Sequence, residues 1–380
     1  MGAGVAYVAA KSGIEVALKD VSIDRAEQGK EYSRKLVGKR VQRKRMSQED
    51  ADRLLDLIHP CAEVEMLSDA ELVIEAVYED RTLKARVTKE AETVLTDEVI
   101  FASNTSTLPI TGLASASIRP AQFIGLHFFS PVDKMQLVEI ICGEATDEQT
   151  LAHAYDFVQC LGKIPIVVND SRGFFTSRVF GTYTQEGIAM LGEGIPAAMI
   201  ESAAALAGFP VGPLAVSDEV SLTLMAKIRK QTELDYAADG LIAPQHPAHR
   251  VIDVMLSLDR SGKLLGQGFY SYPKGEKKHL WTGLSETFTP IETLPSLQEL
   301  KDRLLYIMAV ETARCLEENV LTSVRDANLG SIFGIGFPAW TGGALQFINY
   351  VGIDEFITRA DQLAHRYGAR FTPSALLHGH

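Results

Sequence analysis

The stretch FIGLHFFSPVDKMQLVEIIC, residues 123–142, holds two apolar runs, Phe123–Phe129 and Leu137–Cys142, separated by a short polar loop with Pro131. Each run has the length of a strand. The connection is too short for a helical crossover, so the two strands are expected to be antiparallel neighbours. With the turn centred on Asp133, His127 and Glu139 lie six residues to either side. They become cross-strand neighbours on one face of a sheet. A carboxylate against an imidazole fixes its tautomer and steadies the protonated form, which suits His127 to take up a proton near neutral pH. An ordinary structural ion pair uses the same two residues.

Outward from this hairpin the pattern alternates. Further short runs rich in branched residues stand at Glu15–Leu18, Glu71–Val77, Val99–Ala102 and Pro165–Val168. Helical stretches at Asp24–Arg45, Ser47–Leu57, Arg81–Leu95 and Asp147–Leu161 lie among them. Such alternation predicts an α/β domain with a mostly parallel sheet over residues 1–170. After residue 170 the strand signal fades and an all-α domain is expected over 171–275. Residues 276–295, mixing Pro, Gly, Thr and Lys, read as a linker. A second helical domain spans 296–380. Arg178, Glu186 and Leu191 recur as Arg303, Glu311 and Leu316, each at an offset of 125, and Gly208-Phe209-Pro210 recurs as Gly336-Phe337-Pro338 at an offset of 128. A duplicated helical module accounts for this, and it could replace a dimer contact within one chain.

The chain is long enough, at 380 residues and 46% hydrophobic, for two or three domains. A net charge of −12 argues against a general nucleic-acid binder. No apolar run approaches a membrane span, and the start lacks the features of a secretion signal. The four cysteines, Cys61, Cys142, Cys160 and Cys315, form no Cys-x-x-Cys pair. Neither a disulfide framework nor a metal site is expected, and a cytoplasmic setting is the default.

Residues 2–13 read as a helix of small residues closed by Gly13, followed by a strand ending at Asp20. Gly2 takes the place of the third glycine in the dinucleotide-binding fingerprint, and Asp20, 18 residues on, that of the acid that binds ribose hydroxyls. The strand and the two glycines that precede them in that fingerprint are absent. A Rossmann-like fold with its first strand missing is therefore expected. Small residues at a helix start also serve plain packing.

Three segments carry a resemblance. They are residues 101–110 (FASNTSTLPI), residues 125–139 with the pattern Gly125-Leu126-His127-Phe128-Phe129-Ser130-Pro131, and Gly173-Phe174 with the later turn at residues 208–213. Together they resemble the 3-hydroxyacyl-CoA dehydrogenases. The duplicated helical region resembles the multifunctional α-subunit of the bacterial fatty-acid oxidation complex. The resemblance runs over essentially the whole chain. It implies NAD-dependent oxidation of (S)-3-hydroxyacyl-CoA to 3-oxoacyl-CoA in β-oxidation, with His127 as base, Glu139 as its partner and Ser106 near the substrate hydroxyl. It places Gly2, Asp20, Glu79, Lys84 and Asn104 at the cofactor, and Ser130 and Ser177 at the substrate. Many members carry Asn at both of those last positions, and Ser lacks the reach of an amide. NAD is expected over NADP because Asp20 repels a 2′-phosphate. An upstream enoyl-CoA hydratase domain and a thiolase subunit are the implied partners.

The basic run Lys30, Arg34, Lys35, Lys39, Arg40 and 43–45 shares helix faces. Lys30 and Lys39 in this run suit the phosphates of coenzyme A, and a solvated helix face accounts for the run equally. A second function is open at this point: a catalytically silent fragment or assembly module, since the dinucleotide-binding strand and glycines are missing.

Overall fold

The computed structural model describes residues 1–238 and 240–379. Strands β1 (Val16–Lys19), β2 (Ile58–Cys61), β3 (Leu72–Glu75), β4 (Ile100–Ser103), β5 (Phe123–Phe128), β6 (Leu137–Cys142) and β7 (Ile164–Asn169) alternate with helices α1 (Gly2–Lys11), α2 (Ile23–Gln42), α3 (Gln48–Asp56), α4 (Arg81–Glu92), α5 (Ile110–Ala114) and α6 (Glu148–Cys160). Helices α7 (Thr176–Gly192), α8 (Ala197–Ala207), α9 (Pro213–Val220), α10 (Leu222–Ala238) and α11 (Ala248–Ser257) follow. The short strands β8 (Tyr270–Ser271) and β9 (His279–Leu280) and helix α12 (Leu284–Thr287) lead to α13 (Leu297–Glu317), α14 (Val324–Phe333), α15 (Ala344–Val351) and α16 (Ile353–Tyr367). Among the described residues no helix is long and apolar enough to cross a membrane.

The chain forms two compact units. The first joins residues 1–177 to residues 318–334, and the second joins 178–317 to 335–380. The α/β expectation is met in the first unit. Five strands order as β3-β4-β5-β6-β7, all parallel except the β5–β6 pair, while β1 and β2 pair separately, in parallel. The cause is visible in the helix starts. Ser22, Ser47, Asp80 and Asp147 each accept a backbone N–H three residues on and so open α2, α3, α4 and α6. Strands β5 and β6 are almost wholly buried, which explains their near-continuous apolar runs. One face packs Leu126, Val138 and Ile140 into a core with Val5 and Val8 of α1 and Ala154 and Val158 of α6. Strand β2 went unread in the sequence. His59 and Pro60 break its apolar pattern, and only its parallel ladder to β1 identifies it.

Gly125 shows why the hairpin begins with glycine. A Cβ there lies 2.7 Å from Ile110 Cδ1 and 2.9 Å from Ile141 Cβ. Gly125→Ala is expected to cost about 1–3 kcal/mol through overpacking, read as a lower denaturant midpoint at unchanged slope. An unchanged midpoint would contradict this close packing of α5 on the sheet.

In the helical unit the two segments that share the Arg–Glu–Leu spacing exchange ion pairs. Arg178 of α7 pairs with Glu311 of α13, and Arg303 of α13 pairs with Glu186 of α7. The rings of Phe209 and Phe337, from the two Gly-Phe-Pro turns, meet edge to face at 6.0 Å. Both helical segments therefore pack in one unit, and α14 lies with the α/β unit, where the Asp326 carboxylate accepts the Val167 N–H. The stretch read as a linker carries β9 and α12. Its Trp281 donates its backbone N–H to the Phe269 carbonyl, and its ring lies 4.2 Å from the Arg260 guanidinium.

Candidate active site

The β5–β6 register sets His127 directly opposite Glu139. The two side chains meet: His127 Nδ1 lies 2.9 Å from Glu139 Oε2, with the imidazole 6% and the carboxylate 0% exposed. A carboxylate only accepts, so Nδ1 carries the hydrogen and Nε2 is the lone-pair nitrogen of the neutral ring. The rings of Phe129, at 4.4 Å, and Phe174, at 6.2 Å, flank the imidazole.

A buried carboxylate needs donors on its remaining lone pairs. Glu139 Oε1 accepts the backbone N–H groups of Phe175 (2.9 Å) and Thr176 (3.0 Å), and Oε2 also accepts the Thr176 hydroxyl. These amides stand at the start of α7, where the helix dipole favours negative charge. Gly173 and Phe174, both with positive φ (72° and 50°), turn the chain so that the two N–H groups point at the carboxylate. The Gly173-Phe174 pair in the sequence marks this turn. Nothing in the sequence marks the amides themselves, and Thr176 went unnoticed.

The exit of β4 forms the neighbouring wall. Asn104 donates its N–H to the Glu75 carbonyl, and its side-chain oxygen accepts the Phe128 N–H at 3.0 Å, tying β3, β4 and β5 together where the strands end. Glu79 Oε1 accepts from the Thr105 hydroxyl and the Ser106 and Thr107 amides, which leaves the Ser106 side chain exposed. Lys84, expected at the cofactor, is 1% exposed. Its ammonium donates to Glu75 (2.9 Å) and the Asn104 carbonyl (3.2 Å) and lies 3.6 Å from Glu79. Glu79 and Lys84 thus grip the loop from beneath. Ser130 is exposed beyond β5, at a cis bond to Pro131, and Ser177 is half-buried in the first turn of α7. On α2, Lys30 is half-buried and Lys39 exposed.

The residues at the head of the sheet fit a dinucleotide. Helix α1 opens at Gly2 with no side-chain cap, so its N-terminal amides and dipole suit a phosphate. A Cβ on Gly2 would lie 3.7 Å from that of Ala76, which sets this helix start beside the exit of β3. Asp20, exposed at the exit of β1, accepts the Val21 N–H at 2.7 Å and keeps oxygen lone pairs for a diol. Among the described residues no group of His, Cys, Asp and Glu is placed to hold a metal ion.

Residues 1–171 match the family model described as 3-hydroxyacyl-CoA dehydrogenase, NAD binding domain, and residues 173–272 match that described as 3-hydroxyacyl-CoA dehydrogenase, C-terminal domain. The first match makes NAD the cofactor. A fatty acid oxidation complex subunit alpha from Shewanella amazonensis is 37% identical over 382 residues, covering 99% of this chain and 53% of the relative. The chain therefore spans about half the length of that curated protein. The structure of (S)-3-hydroxybutyryl-CoA dehydrogenase from Ralstonia eutropha is 31% identical, with a TM-score of 0.67 over 72% of this chain and 96% of the other. The Escherichia coli 3-hydroxybutyryl-CoA dehydrogenase shares the fold, with a TM-score of 0.84 over 100% of this chain and 95% of the other at 23% identity.

Proposed function

The chain belongs to the 3-hydroxyacyl-CoA dehydrogenase family, and from that premise we propose that it oxidises (S)-3-hydroxyacyl-CoA to 3-oxoacyl-CoA in fatty-acid β-oxidation. The observation that carries this reading is the buried His127–Glu139 pair, with Nδ1 engaged at 2.9 Å. His127 Nε2 takes the proton of the C3 hydroxyl as the C3–H bond breaks. The bound NAD supplies the acceptor for the hydride. Glu139 holds the imidazole in the required tautomer and offsets the charge it gains. Ser106 meets the substrate hydroxyl, and Asn104 holds the strand ends that frame the nicotinamide. The amides at Gly2 meet the pyrophosphate and Asp20 the adenosine ribose, which selects NAD over NADP. Glu79 and Lys84 act on the cofactor side by fixing the Asn104–Thr107 loop. Ser130 and Ser177 face the thioester, and Lys30 and Lys39 bind the phosphates of coenzyme A. A cytoplasmic setting, an enoyl-CoA hydratase domain and a thiolase partner complete the reading, supported by the likeness to a complex α-subunit.

The test is NADH consumption with acetoacetyl-CoA. Turnover is expected with NADH well above NADPH, and with the thioester well above free acetoacetate. Equal rates for thioester and free acid would remove coenzyme A from the assignment. A second reading, a catalytically silent assembly module, draws on the separation of the β1–β2 pair from the five-stranded sheet. It predicts no turnover in the same assay.

A further inference from the structure

Glu139 receives four donors, two on each oxygen. Oε1 is occupied by the Phe175 and Thr176 amides, while Oε2 accepts both His127 Nδ1–H and the Thr176 hydroxyl. The hydroxyl also stands 3.5 Å from His127 Nδ1. Thr176 is fully buried, so no water competes for this contact. A hydroxyl has a single hydrogen to donate, and here it is spent on the oxygen that binds the imidazole. We propose that Thr176 is a positioning residue that tempers the hold of Glu139 on the His127 proton. This rests on the reading of His127 as the base.

The physical argument is one of shared charge. Each hydrogen bond to a carboxylate oxygen draws off part of its negative charge and weakens what the oxygen offers to a second donor. The two backbone amides stay on Oε1 whatever side chain stands at residue 176. The Thr176 hydroxyl therefore acts on how firmly the imidazolium, once formed, is held. It also fixes the carboxylate plane, because Oε1 and Oε2 are both anchored to the same residue.

Among the described residues, Glu139 is the titratable group in direct contact with the imidazole. Charged groups of several neighbouring elements have partners of their own. Glu75, Glu79 and Lys84 face one another beneath the β4 exit. Asp170 accepts the Ile110 and Thr111 amides of α5, a helix without titratable side chains. Asp326 of α14 accepts the Val167 amide and pairs with Arg325. The titratable residues of α6, which are Glu148, His153, Tyr155, Asp156 and Cys160, belong to the helix packed on the opposite face with Leu126 and Ile140.

The experiment compares wild type, Thr176→Val and Thr176→Ser in the full chain. Valine keeps the volume and removes the hydroxyl, and serine restores the hydroxyl without the methyl. In T176V the acid limb of kcat/KM against pH is expected to move up by roughly 0.5–1 pH unit, giving about a three- to ten-fold lower rate on the acid side and little change on the alkaline side. In T176S it returns toward wild type, and the KM for NAD in the same oxidation assay stays put in both. Proton NMR of the His127 ring, assigned with His127→Ala, is expected to show the same upward move of its titration midpoint without any turnover. If the profile and the ring titration of T176V both match wild type, or if T176S behaves like T176V, the proposal fails. If instead the ring titration moves while wild type and H127A oxidise substrate equally, Thr176 does act on His127 and it is the catalytic reading of His127 that falls.

Discussion

His127→Ala is expected to lower kcat/KM with a 3-hydroxyacyl-CoA by roughly 10³-fold, within the range that removal of a general base produces, while NADH affinity stays close to wild type and the fold persists at a stability cost of about 1–3 kcal/mol for the emptied ring site and the lost donor. The separation follows from the geometry. The imidazole contributes one hydrogen bond, to Glu139, and that carboxylate keeps the Phe175 and Thr176 amides and the Thr176 hydroxyl when the ring is gone. The hairpin is held by its ladder and by Leu126, Val138 and Ile140 in the core, none of which the substitution touches. Stopped-flow measurement of NADH formation separates the chemical step from product release. A loss of less than ten-fold in that step would show that another group takes the proton.

The second large effect concerns stability. Arg303 is fully buried, its guanidinium donates to Glu186 and Glu193, and its face lies 3.8 Å from the Tyr367 ring. Arg303→Met leaves Glu186 in the interior with Arg370 as its remaining cationic partner. Loss of one member of a buried pair costs about 3–5 kcal/mol. We expect the low end, because Arg370 persists. Chemical denaturation of the variant reads this directly, and a loss below about 1 kcal/mol would show that the pair is dispensable.

The same cluster sets an acid limit. Burial alone lifts the Glu186 carboxyl, but Arg303 and Arg370 outweigh it and hold the group below its ordinary value. A lowered folded-state value means that Glu186 adds stability above the unfolded glutamate range, near about pH 4.3. That contribution drains away as pH falls through the lower, folded value.

Much of this arrangement was legible in the chain. Two all-buried strands must be nearly continuous in apolar residues, so the exceptions, His127 and Glu139, stood out, and a turn centred on Asp133 gave their register. Spacing alone singles out Gly2, which opens α1 without a side-chain cap, and Asp20, exposed at the exit of β1. What stayed hidden depends on the backbone or on burial. The Phe175 and Thr176 amides that hold Glu139 belong to any residue type, so no letter announces them. The resemblance puts Lys84 at the cofactor but does not announce its burial, which the neighbouring Glu75 and the Asn104 carbonyl explain. Residues 318–334 read as part of a terminal helical segment. Their grouping with the α/β unit rests on long-range contacts such as Asn169 Nδ2 to the Asn319 carbonyl.

The crossed Arg–Glu contacts of α7 and α13 carry one more consequence. In an association of two identical chains, every change at such a contact is made twice, so the two sides stay alike. Here both sides are written in one polypeptide and each is free to drift alone. The two contacts differ: Arg303 is sealed between two carboxylates, whereas Arg178 is one-fifth exposed. Tolerance to replacement should therefore differ between the two arginines, with the sealed one the stricter.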